Sequence, residues 1–185
     1  MEKKHIHLSS SFRSTLLGKT ALSMAAAFFL LSLLTTIQAQ ESGFYIAENG
    51  TTIICTDAET GDEGIVNGKT YTKRAKEQIT PENAENTCTS DITDLSELFF
   101  IEETDEEGEI IPNEFNGDIS HWDVSSVENM SGVFKDAVAF NQDLSAWDVS
   151  SVTNMADLFN GASVFNQDLS SWDVSSVENM SAVFK

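Results

Sequence analysis

From Phe115 onward the apolar residues return on a fixed beat. FNGDISHWDVSSVENMSGVFKDAVA is followed from Phe140 by FNQDLSAWDVSSVTNMADLFNGASV and from Phe165 by FNQDLSSWDVSSVENMSAVFK, a 25-residue period with no insertion. Trp122, Trp147 and Trp172 fall in register, as do Met130, Met155 and Met180, Phe134, Phe159 and Phe184, and Phe140 and Phe165. A looser copy, SDITDLSELF, occupies Ser90 to Phe99, with Leu95 in the methionine position. Within the middle unit Met155, Phe159 and Ala162 stand at i, i+4 and i+7, which predicts a short helix or 3-10 turn. Val149 and Val152 lie in a Ser-rich, β-branched stretch that predicts an extended strand or turn. A unit of this length cannot offset its ordering entropy alone, so neighbouring units are expected to bury their faces against each other. The Trp, Met and Phe residues named above are the expected repeat core.

Upstream the pattern changes twice. Ala21 to Ile37 is an apolar run behind a basic segment and ahead of Ala39 and the polar Gln40-Glu41-Ser42. That order reads as a secretory signal over residues 1–39, cleaved after about Ala39, and the alternative is a retained membrane anchor. With cleavage, no membrane insertion remains, and the mature chain is exported to the cell surface or beyond. Next, GFYIAENGTTIIC and GIVNGKTYTKR each place Asn-Gly between short alternating runs, which predicts two hairpins. Cys55 and Cys88 are the only cysteines, and in an oxidising compartment two thiols predict one bridge rather than a reactive thiol or half a metal site. Residues 40–89 are therefore expected to form an N-terminal cap on a repeat region at 90–185. That region divides into a partial unit 90–99, an acidic insertion 100–114 and units 115–139, 140–164 and 165–185. The third full unit breaks off at Lys185, short of the length of the other two, so the chain is expected to be truncated at its C-terminus.

Charge narrows the choice of partners. The formal net charge is −20, and from Gln40 onward six basic residues face 29 acidic ones. Such a surface repels phosphate backbones and anionic bilayers, which excludes nucleic-acid binding. Four of the six cations, Lys69, Lys73, Arg74 and Lys76, cluster in the cap, where ion pairing with the acidic repeats is expected and an acidic ligand is the alternative.

The polar positions repeat as well. Asn116, Asn141 and Asn166 form one column and Asn129, Asn154 and Asn179 another, expected to bridge backbone groups of successive units. Asp118, Asp143 and Asp168, with Asp123, Asp148 and Asp173, are expected to cap turns; the alternative is a calcium ladder. The insertion Phe100 to Glu114 is densely acidic, FIEETDEEGEIIPNE. Glu103, Asp105, Glu107, Glu109 and Glu114 partly fit a twelve-residue calcium loop. Pro112 and the lack of an exiting helix favour a solvated acidic loop and no cofactor.

Phe165, Asn166, Asp168, Leu169, Trp172, Asp173, Val174, Val177, Asn179, Met180 and Phe184 resemble the repeat of the BspA-like leucine-rich surface proteins, which are exported bacterial proteins. The resemblance covers residues 90–185. It implies surface display and binding rather than catalysis. Together with the periodicity, it sets the expected fold: an α/β repeat, an irregular leucine-rich-repeat-like solenoid of 25-residue units with a small β-rich, disulfide-tied N-terminal cap.

The leading functional expectation is a non-enzymatic adhesion or protein-binding module, its partners extracellular or cell-surface proteins or glycans. No GxSxG, HExxH or phosphate-cradling loop occurs, and only His121 among the histidines lies past the signal. Two alternatives stand beside it: a binding arm of a secreted enzyme, and a calcium-stiffened spacer.

Overall fold

The computed structural model describes residues 43–101, 104, 106, 107 and 111–185, all within the compact unit Ile37–Lys185. The predicted signal segment lies outside the described residues. Among the described residues no helix is long and apolar enough to cross a membrane.

Both predicted hairpins form. β1 (Tyr45–Ile46) pairs antiparallel with β2 (Ile53–Ile54), and Asn49 organises the connection by accepting the Thr51 and Thr52 N–H groups on Oδ1 at 3.0 Å. β3 (Glu63–Val66) pairs antiparallel with β4 (Lys69–Lys73) across Asn67-Gly68. Both turn residues are left-handed, φ 52° and 82°, as a two-residue hairpin that follows the strand twist requires. β5 (Thr87–Cys88) then adds to β4 in parallel, reached through short 3-10 turns at Lys76–Gln78 and Ala84–Asn86. The Cys55–Cys88 disulfide joins the end of the first hairpin to β5. Phe44, Ile53, Val66, Tyr71 and the two half-cystines make a small core of their own. Phe44 lies directly on Gly64, where a Cβ would collide with its ring.

The α/β class and the leucine-rich-repeat-like solenoid are not what the structure shows. No α-helix occurs among the described residues. The regular elements are the five short strands in two small sheets and the two 3-10 turns. Among the described residues from Thr89 to Lys185 the backbone is turns, bends and single β-bridges.

Of the two forms expected at Met155, Phe159 and Ala162, a short helix or a 3-10 turn, the helix is excluded by handedness. Glu97, Gly132, Asp157 and Ala182 all have φ between 54° and 63°, and a left-handed residue ends an α-helix. Alternate N–H groups turn away from their own segment altogether. Met130, Gly132, Phe134 and Asp136 donate to the carbonyls of Asn154, Ala156, Leu158 and Asn160, and Met155, Asp157, Phe159 and Gly161 to those of Asn179, Ser181, Val183 and Lys185. The N–H groups between them close tight turns three residues back, such as Val133 to Met130 and Ala137 to Phe134. A turn every three or four residues buries Met130, Val133, Phe134 and Ala137, which is the spacing of a helical face. Val149 and Val152 lie in a turn, the Val152 N–H donating to the Val149 carbonyl at 2.9 Å; no strand forms there.

The second core runs from Ile79 to Phe159. Trp147 stacks 6.3 Å from Trp122 and 6.4 Å from Trp172, with interplanar angles of 6° and 2°. Each indole N–H reaches back to a carbonyl: Trp122 to Ala84, Trp147 to Ile119 and Trp172 to Leu144, at 3.0 to 3.1 Å. Phe134, Phe159 and Phe184 stack at 5.4 Å intervals, and Phe140 lies 5.8 Å from Phe115 and 5.9 Å from Phe165. These are ordinary stacking distances for aromatic pairs.

Candidate interaction surface

The residues that fix this surface come from short Asp-x-Ser and Asn-containing turns. Asp118, Asp143 and Asp168 each accept the N–H of the serine two residues on, at 2.9 to 3.0 Å. Asp123, Asp148 and Asp173 do the same at 3.0 to 3.2 Å. The capping expectation for both columns therefore holds. The N–H groups of Ser145 and Ser170 hold the Asp143 and Asp168 carboxyls below the usual carboxylate range. Burial alone would raise Asp118, but its bonds to Ser120 outweigh that and lower it. Asp118, Asp143 and Asp168 thus stay ionised, and, Asp123 apart, the carboxylates of both columns face solvent.

The asparagines flank the Asp positions in each unit. Asn116 Oδ1 accepts the Asn141 N–H, and Asn141 Oδ1 accepts the Asn166 N–H, at 2.9 and 3.0 Å. Gln142 and Gln167 add side-chain bonds to the same asparagines. On the other column single parallel bridges link Asp94, Asn129, Asn154 and Asn179 in turn, and Asn154 Nδ2 donates to Asn129 Oδ1 at 3.0 Å. The asparagine columns are half-buried to exposed rather than buried. The net result is a surface of exposed Asp and Ser with exposed to half-buried Asn and half-buried Gln, its geometry set by backbone groups.

The basic cluster is largely spent within the fold. Lys73 is buried and pairs with Asp91 at 2.7 Å; Lys76 pairs with Asp94 at 3.0 Å. Burial alone would raise Asp94, yet bonds from Ser96 and the Lys76 ammonium bring it down to about 2. Arg74 donates to the Asn86 carbonyl and the Thr87 hydroxyl. Lys69 lies over the Tyr71 ring.

Of the calcium-loop residues, Glu103, Asp105 and Glu109 lie outside the described residues, while Glu107 and Glu114 are exposed. Among the described residues no group of three or more His, Cys, Asp or Glu could hold a metal ion. An open groove of about 470 Å³ beside the insertion is lined by Glu82, Glu85, Glu114 and Phe115, among others. Of the core residues, Trp122, Met130, Phe134, Phe140, Trp147, Met155 and Phe159 are buried. Phe165 and Trp172 are half-buried, and Met180 and Phe184 are exposed.

Residues 69–185 match a family described as Mycoplasma protein of unknown function, DUF285. The chain belongs to that family. No curated protein and no solved structure matches it. The DUF285 match begins on β4, so it takes in the parallel β4–β5 pair as well as every 25-residue unit.

The periodic reading did not single out the junction between the sheets and the first full unit. Asp123, in its own column otherwise exposed, is buried there and accepts the Ser90 hydroxyl at 2.7 Å. The Ser90 hydroxyl in turn accepts the Cys55 N–H, and Thr89 Oγ1 donates to the Asp123 carbonyl. His121 is buried and its Nε2 lies 3.0 Å from the Thr87 carbonyl. The one available signal was a break in the pattern: the units carry Ala146 and Ser171 where His121 stands.

Proposed function

We propose that this chain is an exported, surface-displayed binding protein, non-enzymatic, whose face of repeated Asp, Asn, Gln and Ser engages extracellular or cell-surface proteins or glycans. The observation that carries the proposal is the arrangement of that face. Asp143, Asp168, Asn141 and Gln142 are held by backbone bonds at a 25-residue interval, and identical groups at regular spacing favour many weak contacts acting together. The resemblance of Phe165 to Phe184 to BspA-like surface repeats supports the same reading, as does the apolar run at residues 21–37, which has the form of a secretory signal. DUF285 itself supplies no role.

Binding to arrays of extracellular-matrix proteins and glycans tests the proposal, with the unaltered protein set beside a variant carrying Asp143→Asn, Asp168→Asn and Gln142→Ala. The expected result is a salt-sensitive interaction weakened at least about tenfold in the variant. No binding by the unaltered protein, or equal binding by the variant, overturns it.

A further inference from the structure

His121 breaks the repeat at the place where two cores meet, and its contacts come from both sides. The Ile53 N–H of β2 donates to its carbonyl at 2.8 Å. The Tyr71 ring of β4 lies 5.1 Å from its imidazole. Because the Thr87 carbonyl can only accept, Nε2 carries the proton of that bond. The neighbouring Trp122 N–H completes the seam by donating to the Ala84 carbonyl. In the next two units the position is filled by Ala146 and Ser171, so the imidazole serves the junction and not the repeat.

We propose that His121 is a proton-sensitive clasp: on mild acidification its imidazole takes up a proton, and the disulfide-tied sheets separate from the Trp122 unit while each part keeps its internal structure. The charged groups around it leave the imidazolium poorly housed. Lys69 on β4 opposes the positive charge, while Asp118 on its own segment and Glu85 from the second 3-10 turn favour it. Burial outweighs both and brings the imidazole down to about 4, and Asp123 is already engaged by Ser90 and Ser125. Once the seam opens, the ring returns to water and its ordinary basicity, so protons favour the open form. On the sheet side the Cys55–Cys88 bond and both hairpins are untouched by the separation, whereas beyond the junction the bonds from Met130 and Phe134 to the next unit remain.

Amide hydrogen exchange on the whole protein at pH 7 and pH 5, corrected for intrinsic rates, tests the clasp. Protection at Ile53 and Cys55 should fall at least about tenfold at pH 5, with Met130 and Phe134 unchanged. His121→Gln, which keeps a donor toward Thr87 but does not titrate, should remove the pH dependence. A uniform loss of protection along the chain, no loss at Ile53, or the same loss in His121→Gln overturns the proposal. Should the variant not fold, the imidazole titration of the unaltered protein decides. A midpoint near the ordinary 6.5 at the folded junction overturns it, and one depressed by a unit or more, accompanied by the Ile53 loss, upholds it.

Discussion

The sheet region before Ser90 and the turn region after it hold themselves together by opposite means. The first pairs strands close in sequence, β1 with β2 and β3 with β4, and closes them with a disulfide between Cys55 and Cys88. Its core is small, Phe44, Ile53, Val66 and Tyr71 around the half-cystines. The second has tight local turns but, among the described residues, no pairing of neighbouring strands. Its alternate N–H groups bond into the next unit, as Met130 does to Asn154, and its rings stack one full period away, Trp122 on Trp147 and Phe134 on Phe159. A cross-link can therefore stabilise the first without touching the second, and a side chain removed from one aromatic stack weakens contacts on two sides.

The largest expected effect comes from Trp147→Ala. The indole is buried between two others and holds the Ile119 carbonyl, so its loss should cost about 3–5 kcal/mol. Urea unfolding followed by the remaining tryptophans would show this, while exchange at the Gly64 and Lys73 amides of β3 and β4 should hardly change. Replacing both Cys55 and Cys88 by serine should reverse the pattern. Opening a loop of that length costs about 3–4 kcal/mol. Calorimetry should show the sheet region melting earlier, ahead of the Trp signal.

Acidification acts on the seam between the regions. The folded His121 value of about 4 lies below the ordinary 6.5, so between those values the unfolded chain binds a proton that the folded chain does not. Stability should fall as pH drops from about 6.5 to about 4, by about 3 kcal/mol in total, and His121 should add nothing further below that. Asp94, with its value near 2, loses its contribution only below the ordinary carboxylate range. A pH series of urea midpoints separates the two windows.

Smaller effects probe the bridges. Asn154→Ala removes the bond to Asn129 and the one from the Ala156 N–H, about 1–2 kcal/mol by the same urea measurement. Asp148→Ala, on an exposed turn, should cost about 0.5–1 kcal/mol, because water replaces much of what the carboxylate supplied to Ser150.

What could be read from the letters follows the same division. Asn67-Gly68 announced the second hairpin because a two-residue turn needs left-handed residues that asparagine and glycine supply; in the longer connection of the first, Gly50 is left-handed and Asn49 instead caps Thr51 and Thr52. The cysteine pair and the aromatic register were equally plain. Burial every three or four residues left a short helix and a 3-10 turn both open at Met155, Phe159 and Ala162, because it is common to helices and to chains of tight turns. The feature that separates them, a left-handed residue at 97, 132, 157 and 182, is carried by Glu, Gly, Asp and Ala, and three of those give no warning. The polar face was legible in part: the Asp and Asn columns stand out, and ion pairing of the basic cluster with the acidic repeats was expected, but not that Asp91 and Asp94 are the partners of Lys73 and Lys76. The seam was hidden, since His121 and Asp123 take their role from Thr87 and Ser90, partners that lie well outside their own repeat unit.

Those four left-handed positions have a consequence for how the protein can vary. Glu97, Asp157 and Ala182 adopt a backbone shape that ordinarily belongs to glycine, and the N–H groups of Glu97 and Asp157 are fastened to the carbonyls of Ser131 and Ser181. Glycine there would relax the local geometry yet loosen the unfolded chain, so the two tendencies nearly cancel. Exchange among Glu, Asp, Ala and Gly at these positions is thus nearly neutral and can redecorate the exterior while the path of the main chain stays the same, whereas β-branched residues and proline are shut out.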